Sequence, residues 1–382
     1  MRIAHIITRM IVGGAQENTL LTCLDLIRDY GDEVLLITGP ALGPEGDLLD
    51  QGRAGELKVA LLPALRRAIN PRRDWLAARQ IRQALTSFRP DVVHTHSAKG
   101  GILGRHVAWS MGVPKVVHTV HGAPFHRFQP AGIRAFYRLC EKRAAGQCHH
   151  LISVADAMTD LMVAGEVAPR EKFTTVYSGM DVVPFLHADQ TREAVRAELG
   201  FQSQHIVIGK IARLFHLKGH DDMIDAALQV IRQIPDARFL LVGDGLLRPR
   251  LQQRIAELGM EHYFVFTGLV PPSRIPGLIG AMDALVHTSY REGLARALPQ
   301  ALIAGKPVVS YDIDGAREVV LDDRTGFLVP AGDTERLAAS IIRLASDAEL
   351  RRRLGKEGQG RFTEPFRHET MTRRLREIYA SP

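Results

Sequence analysis

Three groups of residues in this sequence have the types and spacing to act on a phosphorylated ligand. Arg213 and Lys218 lie in Ile211-Ala-Arg-Leu-Phe-His-Leu-Lys-Gly219, between a β-branched run and an amphipathic stretch. Two cations around a strand-to-helix turn, one beside a glycine, can clamp a diphosphate through charge-assisted hydrogen bonds. The segment Ser289-Tyr-Arg-Glu-Gly-Leu-Ala-Arg-Ala-Leu-Pro-Gln-Ala-Leu-Ile-Ala-Gly-Lys-Pro-Val-Val309 reads as strand end, loop, helix, glycine stop and a second buried strand. Glu292 falls in the loop, and the residues after it offer backbone N–H groups at a helix start. Gln300 comes eight positions later, about two turns along the same helix. A carboxylate and an amide so spaced can grip sugar hydroxyls while the N–H groups hold phosphate. Taken singly, Arg213 and Lys218 read as well as surface cations, and Glu292 as an incidental acid at a helix start.

Glycines and histidines add weaker signals. Gly13-Gly14-Ala15-Gln16 follows the first strand and opens a helix, where free N–H groups favour an anion. Its spacing matches neither a dinucleotide fingerprint nor a P-loop, so a plain tight turn explains it equally well. Leu241-Val-Gly-Asp-Gly-Leu246 is a second glycine turn, read alone as a strand-to-helix connection. The pairs His94-x-His96, His118-x-x-His121 and His149-His150 invite a metal. His94 and His96 share one strand face, yet no carboxylate or cysteine partner stands near them at a ligand spacing. No metal is assigned, and these histidines are expected to line a cleft or serve the structure.

The elements that must position these residues alternate along the chain. At 382 residues and 42.3 kDa the chain exceeds one ordinary core. Hydrophobic content of 46% with 24% charged residues is that of a globular protein. Strands are predicted over 3–7, 33–38, 92–96, 115–120 and 151–154, with helices over 15–28, 74–87, 101–110, 132–145 and 155–164. The pattern then restarts, with strands over 206–211, 238–242, 264–267, 284–287, 307–310 and 327–329. Helices are expected over 191–199, 220–233, 246–258, 273–280, 295–304, 334–345 and 366–379. This is an α/β chain of two doubly wound Rossmann-like units, whose ligands bind on loops at the carboxyl ends of parallel strands. The domains are placed at 1–185 and 186–364, with the helix of 365–382 expected to pack back on the first.

The ordered set of motifs resembles the retaining glycosyltransferases of GT-B fold in the large family four. The matching pieces are Gly-Gly-Ala-Gln, Asp91-Val-Val-His-Thr-His-Ser-Ala-Lys-Gly100, Val117-His-Thr-Val-His-Gly122, Arg213 with Lys218-Gly219, and Val242-Gly-Asp-Gly245. Phe266-Thr-Gly-Leu-Val270, the Glu292 segment, Asp314-Gly-Ala-Arg-Glu-Val-Val320 and Thr325-Gly-Phe-Leu-Val329 complete it. The resemblance spans essentially the whole chain and implies roles. Arg213 and Lys218 would bind the donor diphosphate and stabilise the leaving nucleotide in place of a metal, so no cofactor is required. Glu292 would contact the donor sugar, and the amides near Leu294 and Ala295 its hydroxyls or phosphate. Leu269 and Val270 would receive the base, and Gly14, Gly243 and Gly293 would bring backbone close to the donor. His121 would sit at the reaction centre, and Gln300 near the ribose. This sequence departs from the family pattern at two points. Gln300 stands where a second Glu is usual, offering one acceptor oxygen instead of a carboxylate, and Leu294-Ala295 replaces an aromatic-glycine pair.

Charge and composition indicate the partners. Residues 1–52 carry 3 Arg against 8 Asp and Glu, whereas residues 53–143 carry 17 Lys and Arg against 4 acids. A basic block of this kind suits a phosphorylated ligand, an anionic membrane surface or nucleic acid; no nucleic-acid module is recognisable. Arg66, Arg67, Arg72, Arg73, Arg79 and Arg82 form one cluster. Lys99, Arg127, Arg134, Arg138 and Arg143 are expected on an acceptor or membrane face, among Phe125, Phe128, Ile133, Phe136 and Tyr137. The alternative is that Ile133, Phe136 and Leu139 are the core face of a helix. No stretch has the roughly 20 apolar residues of a span. Three cysteines, Cys23, Cys140 and Cys148, show no paired framework. A cytoplasmic enzyme, peripheral on the inner face of the membrane, is therefore expected. It would take a UDP- or GDP-sugar donor and a saccharide or lipid-linked acceptor. A nucleotide-sugar epimerase or a non-catalytic nucleotide-sugar-binding protein are the competing functions.

Overall fold

Runs such as Arg-Ile-Ala-His-Ile-Ile-Thr-Arg and Val-Val-His-Thr-His are buried along almost their whole length, as strands covered on both faces by helices must be. The computed structural model describes residues 1–42, 46–49 and 57–381. It divides the chain into two units, Met1–Met180 with Phe366–Pro382, and Asp181–Pro365.

The first unit holds seven parallel strands: β1 (Arg2–Arg9), β2 (Glu33–Gly39), β3 (Lys58–Leu61), β4 (Val92–His96), β5 (Lys115–Val120), β6 (His150–Ser153) and β7 (Phe173–Thr175). Their order is β3-β2-β1-β4-β5-β6-β7. The helices are α1 (Gly14–Tyr30), α2 (Pro71–Phe88), α3 (Ala98–Ser110), α4 (Ala131–Ala145) and α5 (Asp156–Ala164). The start of α2 is set by Asn70, whose side chain accepts from the Arg73 N–H at 3.0 Å, with Pro71 in the first turn.

The second unit repeats the plan with β8 (Ile206–Ile211), β9 (Ala237–Val242), β10 (Phe264–Gly268), β11 (Ala284–His287), β12 (Val308–Tyr311) and β13 (Gly326–Val329), in the order β10-β9-β8-β11-β12-β13. Its helices are α6 (Val183–Leu186), α7 (Arg192–Glu198), α8 (His220–Gln233), α9 (Arg248–Glu257), α10 (Ile275–Ala281), α11 (Ala297–Ile303), α12 (Thr334–Ser346) and α13 (Ala348–Phe362). Both sheets are parallel and doubly wound, the α/β class expected.

The last helix, α14 (His368–Ala380), belongs to the first unit. Met371, Leu375 and Tyr379 enter the core formed by Ile3, Leu20, Val117 and their neighbours. Asp25, almost wholly buried on α1, accepts from His368 Nδ1 and Thr372 Oγ1, each at 2.8 Å. Paired in this way, a buried carboxylate ties the end of the chain to its beginning.

Three elements carried no readable signal. The edge strand β3 is four residues long with its apolar Val59 and Leu61 exposed, too short to show an alternation, and β7 is only three residues long. Helix α13 contains Gly355, Gly358 and Gly360 and reads as loop by propensity. Packing requires two of those glycines: a Cβ at Gly355 would lie 1.9 Å from the Gly305 carbonyl oxygen, and one at Gly358 would lie 2.6 Å from the Leu302 side chain. Asp347 caps the helix through the Leu350 N–H at 2.8 Å.

Candidate functional site

In the second unit the expected site residues lie on the loops leaving the carboxyl ends of the strands, except Gln300, which lies within α11. Arg213 follows β8, with its guanidinium over the Phe215 ring at 5.2 Å and its carbonyl accepting from His220 Nε2 at 3.0 Å. Two residues before Gly219, Leu217 accepts at its carbonyl from the Tyr290 N–H at 2.9 Å. Gly219 has φ +60°, and a Cβ there would stand 2.0 Å from the Thr288 carbonyl oxygen. The loop that presents Lys218 therefore lies directly on the loop after β11. Gly243 follows β9 at φ +135°, where a Cβ would meet the Ala212 carbonyl oxygen at 2.3 Å. Its N–H donates to the Gly268 carbonyl at 3.2 Å, so the ends of β8, β9 and β10 close into one backbone surface. Leu269, next in line, is exposed, and Val270 is half-buried.

Lys218 and Glu292 form an ion pair, with Lys218 Nζ donating to Glu292 Oε1. His287 Nε2 lies 3.4 Å from the same oxygen. Burial alone would raise the Glu292 carboxyl, but the His287 ring and the Lys218 ammonium hold it well below the usual carboxylate range. The Glu292 loop is fixed by Asp314 after β12, whose carboxylate accepts from the Glu292 N–H at 2.7 Å; the Gly315 N–H donates to the Gly293 carbonyl at 3.2 Å. Beneath this layer Lys210, fully buried, donates to Thr288 Oγ1 at 2.5 Å. Burial first, and the neighbouring Lys218 second, push its ammonium down to about 7, against the pull of Asp222 and Glu292. Asp222 accepts from the hydroxyls of Tyr290 and Tyr311, each at 2.6 Å.

One expectation about this segment is corrected. Helix α11 begins at Ala297, so the segment from Glu292 to Arg296 is loop, and helical spacing does not relate Glu292 to Gln300. The amides of Leu294 and Ala295 lie in that loop, ahead of the helix. The chain is held there by Asp314 and Gly315, which replace the helical turn as partners of residues 292 and 293.

In the first unit the histidines come together. Strands β1 and β4 pair in a register that sets His5 opposite His94, a neighbour that the sequence alone did not reveal. His5 Nδ1 lies 3.0 Å from His96 Nε2, and His96 Nδ1 lies 3.1 Å from His121 Nε2. His94 uses both nitrogens, to Tyr379 Oη at 2.5 Å and Thr119 Oγ1 at 2.7 Å. Ligand atoms of His5, His94 and His96 lie within 4.8 Å of one another, the arrangement of a metal site. Five of their six ring nitrogens already have hydrogen-bond partners. Burial holds His94 and His96 neutral, well below the usual imidazole range, and pushes His5 down to about 3. Gly14 is the first residue of α1, with Gly13 as its N-cap.

The basic region of the first unit departs from one of the two readings of its helix. Ile133, Phe136 and Leu139 are 48%, 53% and 66% exposed, so they are not a core face. Helix α4 is anchored by its far end, where Ala144 and Ala145 are buried and Glu141 meets Arg105 of α3 at 2.9 Å. Arg134, Arg138 and Arg143 are exposed, and Arg127 lies over the Phe128 ring at 4.8 Å. Lys99 is different, because it is bonded to Asp74 at 2.7 Å and mostly covered; its charge is neutralised and withdrawn from that face. On α2, Trp75 and Leu76 are exposed beside Arg79, which stacks over Trp75 at 4.8 Å. Among the described residues no helix is long and apolar enough to cross a membrane.

Two family models match, one on each unit. Residues 13–179 match the glycosyl transferase 4-like domain, and residues 191–361 match glycosyl transferases group 1. The UDP-Gal:alpha-D-GlcNAc-diphosphoundecaprenol alpha-1,3-galactosyltransferase of Escherichia coli is 28% identical, over 92% of this chain and 89% of that one. The 2-deoxystreptamine N-acetyl-D-glucosaminyltransferase of Streptomyces fradiae is 29% identical, over 90% and 85%. Among solved structures, Anabaena HepE in complex with UDP and glucose superposes with a TM-score of 0.83 at 23% identity, each chain covered in full.

Proposed function

The chain belongs to the glycosyl transferases group 1, in the family four that folds as GT-B, and from that premise we propose that it is a retaining enzyme. It moves a sugar from a UDP- or GDP-sugar to a lipid-linked or saccharide acceptor in the assembly of a cell-surface glycan or glycolipid. The observation that carries the reading is the Lys218–Glu292 pair, pinned by Asp314 on the loops at the carboxyl ends of a parallel sheet. Cation, carboxylate and free backbone there match a nucleoside diphosphate joined to a sugar.

In this proposal Lys218 and Arg213 take up the charge that develops on the diphosphate as the anomeric C–O bond breaks. Two fixed cations supply the role that a divalent ion fills elsewhere, so turnover should not need one. The acceptor oxygen attacks the same face that the diphosphate leaves, and its proton passes to a phosphate oxygen of the leaving group. The configuration at the anomeric carbon is thereby kept. Glu292 accepts hydrogen bonds from the donor sugar, Leu269 and Val270 flank the base, and His121 is the residue of the first unit assigned to the reaction. The name of the Escherichia coli relative combines a UDP-sugar donor with a diphosphoundecaprenol-linked acceptor, which makes UDP the first nucleotide to try and a polyprenyl diphosphate saccharide the first acceptor.

The exposed apolar and cationic residues of α4, with Trp75 and Leu76 on α2, suit an anionic bilayer surface where such an acceptor resides. The test is a panel of UDP-, GDP- and ADP-sugars read by thermal shift and by hydrolysis, with and without chelator. Stabilisation by one nucleotide class, indifferent to chelator and lost in Arg213→Ala, supports the proposal. An inverted anomer in the product, or dependence on a divalent ion, overturns the corresponding part.

A further inference from the structure

Lys218 stands between two residues with left-handed backbone, Leu217 at φ +66° and Gly219 at φ +60°. A leucine adopts that conformation only where its surroundings hold it. The holding bonds come from the chain that follows β11. The Tyr290 N–H donates to the Leu217 carbonyl at 2.9 Å. The Thr288 hydroxyl donates to the Gly219 carbonyl, with the Lys218 carbonyl as a second acceptor at 3.3 Å. The Met223 N–H reaches the Gly219 carbonyl only at 3.4 Å, so the hydroxyl is its closer partner.

A threonine hydroxyl has a single proton, and where Thr288 sends it decides how the Lys218 loop is held. Lys210 on β8 makes that choice. Its ammonium, wholly buried, donates to Thr288 Oγ1 at 2.5 Å. An ammonium has three donors and no acceptor, so the hydroxyl must accept from it and turn its own proton to the carbonyls. A neutral amine has a lone pair, and the proton is then free to turn to Nζ instead. The buried cation destabilises the fold, because its partner is a hydroxyl and not a carboxylate. We propose that Lys210 is a positioning residue, whose ammonium acts through the Thr288 hydroxyl to fix the loop that presents Lys218.

The device responds to pH. Around Lys210 stand Lys218 after β8, His220 and Asp222 on α8, His287 at the end of β11 and Glu292 beyond it; its neighbour on β9 is the apolar Leu241. Burial before all else holds His220 down at about 3 and His287 below the usual imidazole range, so neither ring changes charge as pH rises above 7. Lys210, pushed down to about 7, does. Below that value the loop is fixed, and above it the Thr288 proton is released from the carbonyls. A diphosphate at Lys218 would favour the charged form of Lys210, so nucleotide binding takes up a proton and weakens as pH rises. This link to nucleotide rests on the donor role proposed for Lys218; the hydrogen-bond relay does not.

The relay is read without any ligand. Gly219-His220 is the sole Gly-His step in the sequence, so 13C-carbonyl glycine with 15N-histidine gives one carbonyl–amide correlation in the full-length protein. The Gly219 carbonyl carbon should move to higher field between pH 6 and pH 9 as its hydrogen bond is lost, with a midpoint near 7. Lys210→Met should abolish the titration, Thr288→Val should hold the signal at high field at every pH, and Thr288→Ser should restore the parent behaviour. A carbonyl that ignores pH in the parent, or that titrates equally in Lys210→Met, overturns the relay. Calorimetry with UDP and GDP tests the link to the donor. The parent should bind about tenfold tighter than Lys210→Met at pH 6, a coupling of one pKa unit, and the gap should close by pH 9. Equal affinities at pH 6 overturn the link. If neither nucleotide binds the parent, the donor site itself falls, while the carbonyl titration still decides the role of Lys210.

Discussion

Lys218 donates to the carboxylate of Glu292, although 74 residues separate them in the chain. Each therefore occupies the group that the other would present to a donor: the ammonium to phosphate, the carboxylate to sugar hydroxyls. On the proposed roles, donor binding would loosen this pair, and until then the carboxylate holds Lys218 in place. His287 and the Asp314 bond to the Glu292 N–H would keep Glu292 in place if Lys218 turned to phosphate as proposed.

Removing either partner should slow transfer, but removing the carboxylate should strengthen nucleotide binding. Lys218→Ala should lower kcat by about 100- to 1,000-fold, the usual cost of deleting a donor aimed at developing charge. Glu292→Gln should also slow transfer, yet it releases Lys218, so the free nucleoside diphosphate should bind several-fold tighter than to the parent. Calorimetric titration with UDP or GDP checks this; weaker binding by Glu292→Gln would show that Lys218 does not face the diphosphate.

Lys210 gives a prediction about pH. Its native ammonium is pushed down to about 7 from the ordinary 10.5, so between those values the unfolded chain binds a proton that the native state does not. Stability from this group rises with pH across that window, and its cost is fully present below it. Lys210→Met should therefore stabilise the second unit at pH 6, by about 1–4 kcal/mol, with the gain shrinking towards pH 10. Chemical denaturation at the two pH values measures it. An equal effect at both would mean that Lys210 is not titrating out of its buried site.

These relationships were legible in the sequence to different degrees. Glu292, Arg213 and Lys218 stand out because chemistry-bearing residues follow short buried strands, and strand ends are readable from β-branched runs bounded by glycines. Asp314 opens one of the quoted motifs, but its role is not legible there, since its carboxylate works on a backbone N–H 22 residues away. The His5–His94 register depends on which strands pair, a fact of topology that neither periodicity nor spacing encodes. Helix α13 was hidden for the converse reason: its glycines lower helix propensity but admit the Gly305 carbonyl and the Leu302 side chain. On α4, periodicity predicted the helix and left its environment open, because a stripe of Ile133 and Phe136 looks the same facing a core or facing outwards.

That stripe can be tested on vesicles. Replacing Arg134, Arg138 and Arg143 together by alanine should weaken binding to anionic bilayers by roughly 3 kcal/mol at low salt, at about 1 kcal/mol per cation. The difference should fade as added salt screens the surface. Phe136→Ser with Leu139→Ser should weaken binding at every salt concentration, because insertion of apolar surface is not screened. Sedimentation with phosphatidylglycerol vesicles distinguishes the two; unchanged binding in both variants would make α4 a solvated surface.

The anchor of the same helix sets the last expectation. Arg105 and Glu141 have side chains 0% and 3% exposed and meet at 2.9 Å, and Arg105 Nε also donates to the Gly101 carbonyl at 3.0 Å. Two buried charges recover most of their desolvation cost through one another. Arg105→Met alone should therefore cost about 3–5 kcal/mol, because Glu141 is left buried and unpaired. The double variant Arg105→Met with Glu141→Leu should recover most of that loss, since well-packed apolar side chains of similar volume can replace a buried pair at little cost. Urea unfolding of the two variants gives the comparison. If the double variant is as unstable as the single one, the pair contributes through the Gly101 bond and local packing, and the vesicle binding of α4 should fall in parallel as its anchor loosens.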